Sequence, residues 1–136
     1  MKINLMTDYA MRVIGCIYEN EREMVTSNYI SEMEKIPHGV LMKVLRKLRD
    51  NQIIVSHQGR GQVSGGYSLG RTTDKLFVLN VIEIMEGKIE LEKIGKKEIQ
   101  RDDEFFKEYK RINDVVRREM ERYSLYEILE RNRDMK

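Results

Sequence analysis

The stretch HGVLMKVLRKLRD at residues 38–50 constrains this chain more than any other. Leu41, Val44, Leu45 and Leu48 recur at steps of three and four, so on a helix they form one apolar stripe that must be buried. Gly39, Met42, Lys43, Arg46 and Lys47 then project from the other side, which is basic apart from Gly39 and Met42. Just before it, Pro37 lacks an amide proton and biases Ile36 away from helical geometry, so a preceding helix must stop there or the next one open there. That preceding helix starts at Thr26-Ser27-Asn28, with Ile30, Met33 and Ile36 as its short apolar stripe, and the spacing predicts it over 27–34. A helix, a turn of about four residues and a second helix result.

The pattern changes after residue 50. Ile53-Ile54-Val55 is a β-rich run, Gly65-Gly66-Tyr67-Ser68-Leu69 resumes extended character, and residues 59–64 read as the tip between them. A hairpin with a basic, glycine-rich tip is the wing of a winged helix-turn-helix. Upstream, Ala10, Val13, Ile14 and Ile17 predict a first helix that Thr7 would cap and that ends near Glu19-Asn20. Downstream, Val78, Val81, Ile82 and Met85 predict a short helix closed by Gly87.

Residues 88–103 carry mixed charge without a period and read as a loop. Beyond it, Phe105, Tyr109, Ile112, Val116, Met120 and Tyr123 form the apolar stripe of a long amphipathic helix suited to pairing with a second copy of the chain. A final stripe, Leu125, Ile128 and Leu129, predicts a helix folding back on the long one. The expected fold is therefore mainly α with a small β-hairpin: a winged helix-turn-helix over 1–87, a connecting loop over 88–103, and a dimerisation helix with a short C-terminal helix over 104–136.

Charge selects the function class. Between Lys35 and Arg71 seven basic residues face one acidic residue, a local net charge of +6, so the rest of the chain carries −4 within a total of +2. That polarisation is the footprint of a defined anion-binding face. A helix enters the major groove of duplex DNA where its approaching side is small or polar, and the 38–47 helix meets that condition. A solvated surface is the ordinary reason for a basic helical face; a short helix before it and a wing after it favour DNA. The candidate contacts are Thr26, Ser27 and Asn28 at the bracing helix, His38, Gly39, Val40, Met42, Lys43, Arg46 and Lys47 on the recognition helix, and His57, Gln58, Arg60 and Gln62 on the wing. Arg60 is the candidate for the minor groove, where narrow A·T-rich segments attract arginine.

Other classes find less support. The glycines around Arg60 return to a strand, not to the helix that a phosphate-binding loop requires. No Ser, Cys or acid partner is positioned in the sequence to argue catalysis by either histidine, so no enzyme is expected. A single cysteine, Cys16, excludes an internal disulfide and lies at the edge of an apolar stripe, where a packed thiol is the ordinary reading. No stretch resembles a membrane span or a secretory leader, which predicts a cytoplasmic protein without membrane contact.

The chain resembles the Rrf2 family of bacterial transcription regulators. The resemblance rests on Thr7 to Arg12 (TDYAMR), Leu41 to Arg49 (LMKVLRKLR), Gly65 to Leu69 (GGYSL), and Val81-Ile82 with Met85-Glu86-Gly87, in the family's order over residues 1–87. It implies a winged helix-turn-helix, a homodimer crossed through the long C-terminal helices, and a partly palindromic DNA operator. Many members also hold an iron–sulfur cluster on three cysteines in the loop before the dimer helix, with a fourth ligand from the first helix. Here Lys88 to Asp103 contains neither cysteine nor histidine, and Asp8, where some members place the non-cysteine ligand, stands without thiolates. The wing also departs from the family: Gln58 stands near the usual arginine's place, and Arg60 lies inside a longer tip.

The expectation is a homodimeric, sequence-specific DNA-binding regulator, a repressor, without a cofactor. A small-molecule effector could sit between the dimer helix and the DNA-binding core. The alternative is a winged-helix module that binds protein instead of DNA, for which Met42 and Val40 are the apolar hints.

Overall fold

The computed structural model describes residues 4–20, 24–62, 65–70, 73–87 and 103–135. Within them run α1 (Leu5–Glu19), α2 (Ser27–Glu34), α3 (His38–Asp50), β1 (Ile54–His57), β2 (Gly66–Leu69), a 3₁₀ turn (Thr73–Lys75), α4 (Val78–Glu86), α5 (Glu104–Met120) and α6 (Leu125–Asp134). Residues 88–102, and with them nearly all of the expected connecting loop, lie outside the described residues.

The first helix begins two residues before Thr7. Asn4 is its cap, its side-chain oxygen accepting from the Met6 amide at 3.1 Å. Thr7 is buried instead, and its hydroxyl donates to Glu86 at the end of α4 (2.9 Å), while a second carboxylate oxygen of Glu86 accepts from the Asn4 amide at 2.9 Å. One carboxylate thus ties the start of α1 to the end of α4. Ala10, Val13, Ile14 and Ile17 are fully buried, so α1 forms the centre of the core, with α2, α3, α4, α6 and β2 around it.

Thr26 caps α2, accepting from the Tyr29 amide at 3.1 Å. The helix stops at Lys35, in the left-handed region at φ 53°, two residues ahead of Pro37. Pro37 is itself the N-cap of α3, which places His38 at the first helical position and not at the cap. The apolar stripe of α3 is buried as its spacing requires: Leu41, Val44, Leu45 and Leu48 are almost wholly inaccessible.

The chain leaves α3 through Gln52 at φ 62°, so that the Ile53 amide reaches back to the Leu48 carbonyl at 2.9 Å. A left-handed residue at a helix exit is ordinarily glycine, because a side chain's Cβ crowds the following carbonyl there. Gln52→Gly should therefore stabilise the protein by about 0.5–1 kcal/mol, after allowing for glycine's greater freedom in the unfolded chain. An unchanged or lower denaturant midpoint would show that Gln52 holds its turn through its own side chain.

Strands β1 and β2 pair antiparallel from Ile54↔Leu69 to His57↔Gly66. A single residue on the far edge completes the sheet: Val25 exchanges backbone hydrogen bonds with Tyr67 at 3.1 and 2.8 Å, covering the edge of β2. Gly66 permits that approach, since a Cβ there would lie 2.8 Å from the Val25 carbonyl oxygen. The wing is thereby fixed to the turn that enters α2.

The last helix folds back on α1 and the 3₁₀ turn, where the sequence predicted α5. Leu125 is buried in the core, and its amide donates to the Leu76 carbonyl at 2.7 Å. Leu129 lies 3.7 Å from where a Cβ on Gly15 would stand, and Tyr18 of α1 hydrogen-bonds Glu130 while stacking edge-on against Tyr126 at 6.5 Å between ring centroids. α5 has no buried residue of its own.

Candidate nucleic-acid interface

The core presents α3 with one side sealed and the other open. At about 100° per residue, Gly39, Lys43 and Arg46 project directly away from the Leu41–Leu48 stripe, with Met42 beside them; all four are exposed. Val40, on the flank, is half-buried. His38 is exposed at the helix start, where Pro37 supplies no side-chain hydrogen bond to the first-turn amides.

Lys47 belongs partly to a different set of contacts. Its ammonium donates to the Met85 carbonyl at 3.3 Å, placing a cation at the C-terminal end of α4, where unpaired carbonyls favour positive charge. Arg49, near the C-terminus of α3, pairs with its neighbour Asp50 at 3.3 Å.

The bracing helix is held from behind. Arg12 of α1 donates to the Glu34 carbonyl at 3.0 Å, and the Ser31 hydroxyl donates to the Ile36 carbonyl at 2.7 Å, which sets the turn between α2 and α3. Thr26 and Ser27 are half-buried at the start of α2, and Asn28 is exposed. The Thr26 oxygen is occupied as a cap acceptor, which leaves its own proton to donate outward.

On the wing, His57 shares a 2.7 Å hydrogen bond with the Ser68 hydroxyl across the strands. Gln58, Arg60 and Gln62 are exposed at the tip, which turns at Gly61 with φ 60°. α3 and the wing thus supply two separate exposed sets on one core, one on a helix face and one on a hairpin.

The apolar stripe of α5 is open along its first half: Phe105 is 71%, Tyr109 44% and Ile112 38% exposed, and Val115, which the stripe read from the sequence passed over in favour of Val116, is 41% exposed. Val116 and Met120 are half-buried. Tyr123 is not on the helix. Ser124 caps α6 immediately after it, and its ring lies between the guanidinium groups of Arg122 and Arg131, at 5.3 and 4.3 Å from its centroid. Arg117 ties α5 to α4, its guanidinium donating to Glu83 at 2.6 Å, a bond that raises the Arg117 pKa above its usual value. A groove of about 680 Å³ runs between α1, α4 and α6, floored by side chains that include Met11, Ile14, Ile82 and Leu129.

The family model described as Rrf2, iron-dependent transcriptional regulator, matches residues 3–131. The chain belongs to the Rrf2 family.

Solved Rrf2-type structures share its fold. CymR, the global cysteine regulator of B. subtilis, superposes with a TM-score of 0.78 at 20% identity, covering 96% of this chain and 97% of that one. IscR of T. potens gives 0.76 at 17% identity, covering 100% and 91%. The oxidised form of Staphylococcus aureus CymR gives 0.70 at 20% identity, covering 96% and 97%. A protein of Aquifex aeolicus named as an HTH-type transcriptional regulator is 29% identical over 76 residues, a match that spans 56% of this chain and about half, 51%, of that relative.

Among the described residues, the iron named in the family description finds no matching donor set. Iron–sulfur clusters are held mainly by cysteine thiolates, and this Rrf2 chain has one cysteine, buried on the packing side of α1. Asp8 is paired with Arg12 at 3.1 Å. Among the described residues no three His, Cys, Asp or Glu side chains converge on a point that could hold a metal. Nor is any described helix long and apolar enough to cross a membrane.

Proposed function

We propose that this Rrf2 member is a sequence-specific DNA-binding repressor that acts as a homodimer on a partly palindromic operator and does so without an iron–sulfur cluster. The observation that carries the reading is the open side of α3: Lys43 and Arg46 exposed beside Gly39 and Met42, on a helix whose opposite side is locked in the core. Such a helix fits the major groove, which is about 12 Å wide, and its N-terminal residues face the base edges. Arg60 at the wing tip reaches for the neighbouring minor groove, while Thr26, Ser27 and Asn28 offer donors to phosphate. His57 acts through the wing's geometry, given its bond to Ser68.

The exposed stripe of α5 supports a dimer, because Phe105, Tyr109, Ile112 and Val115 stand together on a helix with little cover from its own subunit. Paired recognition helices then meet half-sites about 34 Å apart on one face of the duplex. A dimer seated across that length excludes other proteins from the DNA it covers, which is why repression is the proposed sense of regulation.

Selection of bound duplexes from a random DNA pool tests the reading. The expected winners carry two inverted half-sites about one helical turn apart. Absence of enrichment, with no salt-dependent retention on any duplex, would leave a protein-binding winged helix as the explanation of the same surface.

A further inference from the structure

Gly39 lies within a helix, on the exposed side of α3, at a position where the fold gives it no reason to be glycine. Glycine in a helix is less favourable than alanine, because it sacrifices more backbone freedom on folding. Other glycines have local explanations: Gly61 and Gly87 adopt φ of 60° and 94°, while a Cβ on Gly65, Gly66 or Gly70 would come within 2.8 Å of backbone atoms. A Cβ on Gly15 would stand 3.7 Å from Leu129, an ordinary contact within the fold. Around Gly39 a Cβ would meet nothing within 4 Å, and its φ is not positive. Among the described residues, nothing packed around this position requires the missing side chain.

We infer that Gly39 is a specificity-determining residue: its bare Cα is a notch that seats the C5-methyl group of one operator thymine in the major groove. The inference rests on the DNA-binding reading above. Gly39 stands one turn before Lys43 and two before Arg46, on the same line of the helix, so a groove that receives those two cations brings a base pair against Gly39. Glycine has no side-chain donor or acceptor, so Gly39 itself makes no side-chain hydrogen bond to that base pair. Met42 supplies an apolar wall, being exposed one turn along. Of the groups that base pairs present in the major groove, the thymine methyl is the apolar one. Arg46 and Lys43 are left to read guanine or hold phosphate further along the half-site.

The test uses the full chain, wild type and Gly39→Ala, with the selected operator and a set of operators in which each thymine is replaced singly by uracil, removing only its methyl group. Gly39→Ala should melt a few degrees higher than wild type, because alanine favours the helix. It should bind the operator about a hundredfold more weakly, the cost of one ill-fitting base pair in each half-site. In each half-site one thymine-to-uracil change should weaken wild-type binding about fourfold, the worth of one buried methyl, and should leave Gly39→Ala unaffected. Wild-type affinity in Gly39→Ala, or the same uracil response in both proteins, overturns the inference. Failure of the underlying reading looks different: neither protein is retained on any duplex, and both conclusions fall together.

Discussion

Ile112→Asp should convert the dimer to a monomer and lower operator affinity by about a hundredfold or more. The residue sits in the middle of the open stripe of α5, flanked one turn either way by Tyr109 and Val115 or Val116. α5 runs for 17 residues, about 25 Å, long enough for two copies to cross and bury that stripe against each other. A carboxylate placed there must either lose its water in the interface, at a cost of several kcal/mol, or keep the helices apart. The isolated subunit should tolerate the change, since Ile112 is 38% exposed and outside the core. The solvent side of the same helix is already supplied with short-range pairs, Lys107–Glu104 at 3.4 Å and Arg111–Glu108 at 2.5 Å; the hydrogen bond from Arg111 holds the Glu108 carboxyl below its usual pKa, but both pairs, being exposed, add little to stability. Sedimentation velocity would report the mass, circular dichroism the intact fold, and a gel-shift titration the affinity. The loss is large because a dimer engages its second half-site at the effective concentration set by the first, an advantage a monomer forfeits. A dimer that survives Ile112→Asp would move the interface away from α5, with the groove between α1, α4 and α6 as the next surface to test.

Helix positions were legible wherever the signal was local. Leu41, Val44, Leu45 and Leu48 announce the buried side of α3, and Pro37 and Gly87 mark helix boundaries through their own backbone chemistry. What failed to show in the sequence depends on partners far along the chain. Thr7 and Asn4 are both good caps, but Thr7 is taken by Glu86, 79 residues away, which leaves Asn4 at the cap. The stripe Leu125, Ile128 and Leu129 shows that α6 has something to bury; that it packs on α1 is decided by the Leu125–Leu76 backbone bond and the Tyr18–Glu130 contact. Tyr123 continues the spacing of α5 by coincidence, because Ser124 starts a new helix directly after it. Lys43 and Lys47 look equivalent on a helical projection, yet the Met85 carbonyl, 38 residues on from Lys47, engages only Lys47. Gly39 was legible as an exposed position of the candidate face, while the empty space around it required coordinates.

That difference between the two lysines separates them in the second large effect, the response to salt. Raising the salt concentration from about 50 to 200 mM should weaken operator binding by roughly a thousandfold or more, because each lysine or arginine that neutralises a phosphate releases condensed counterions. With Lys43, Arg46 and Arg60 exposed in each subunit, a dimer carries about six such groups, the lower end of the range that gives this loss. Lys43→Ala should flatten the slope of log affinity against log salt by about two, one phosphate from each half of the dimer. Lys47→Ala should flatten it less and should instead lower the melting temperature, since its ammonium is committed to the end of α4. Equal slope changes in the two variants would mean that Lys47 leaves Met85 when DNA arrives, and that α4 is released as the recognition helix docks. A slope near zero for the wild type would remove phosphate contact altogether, because no arrangement of these cations against duplex DNA escapes counterion release.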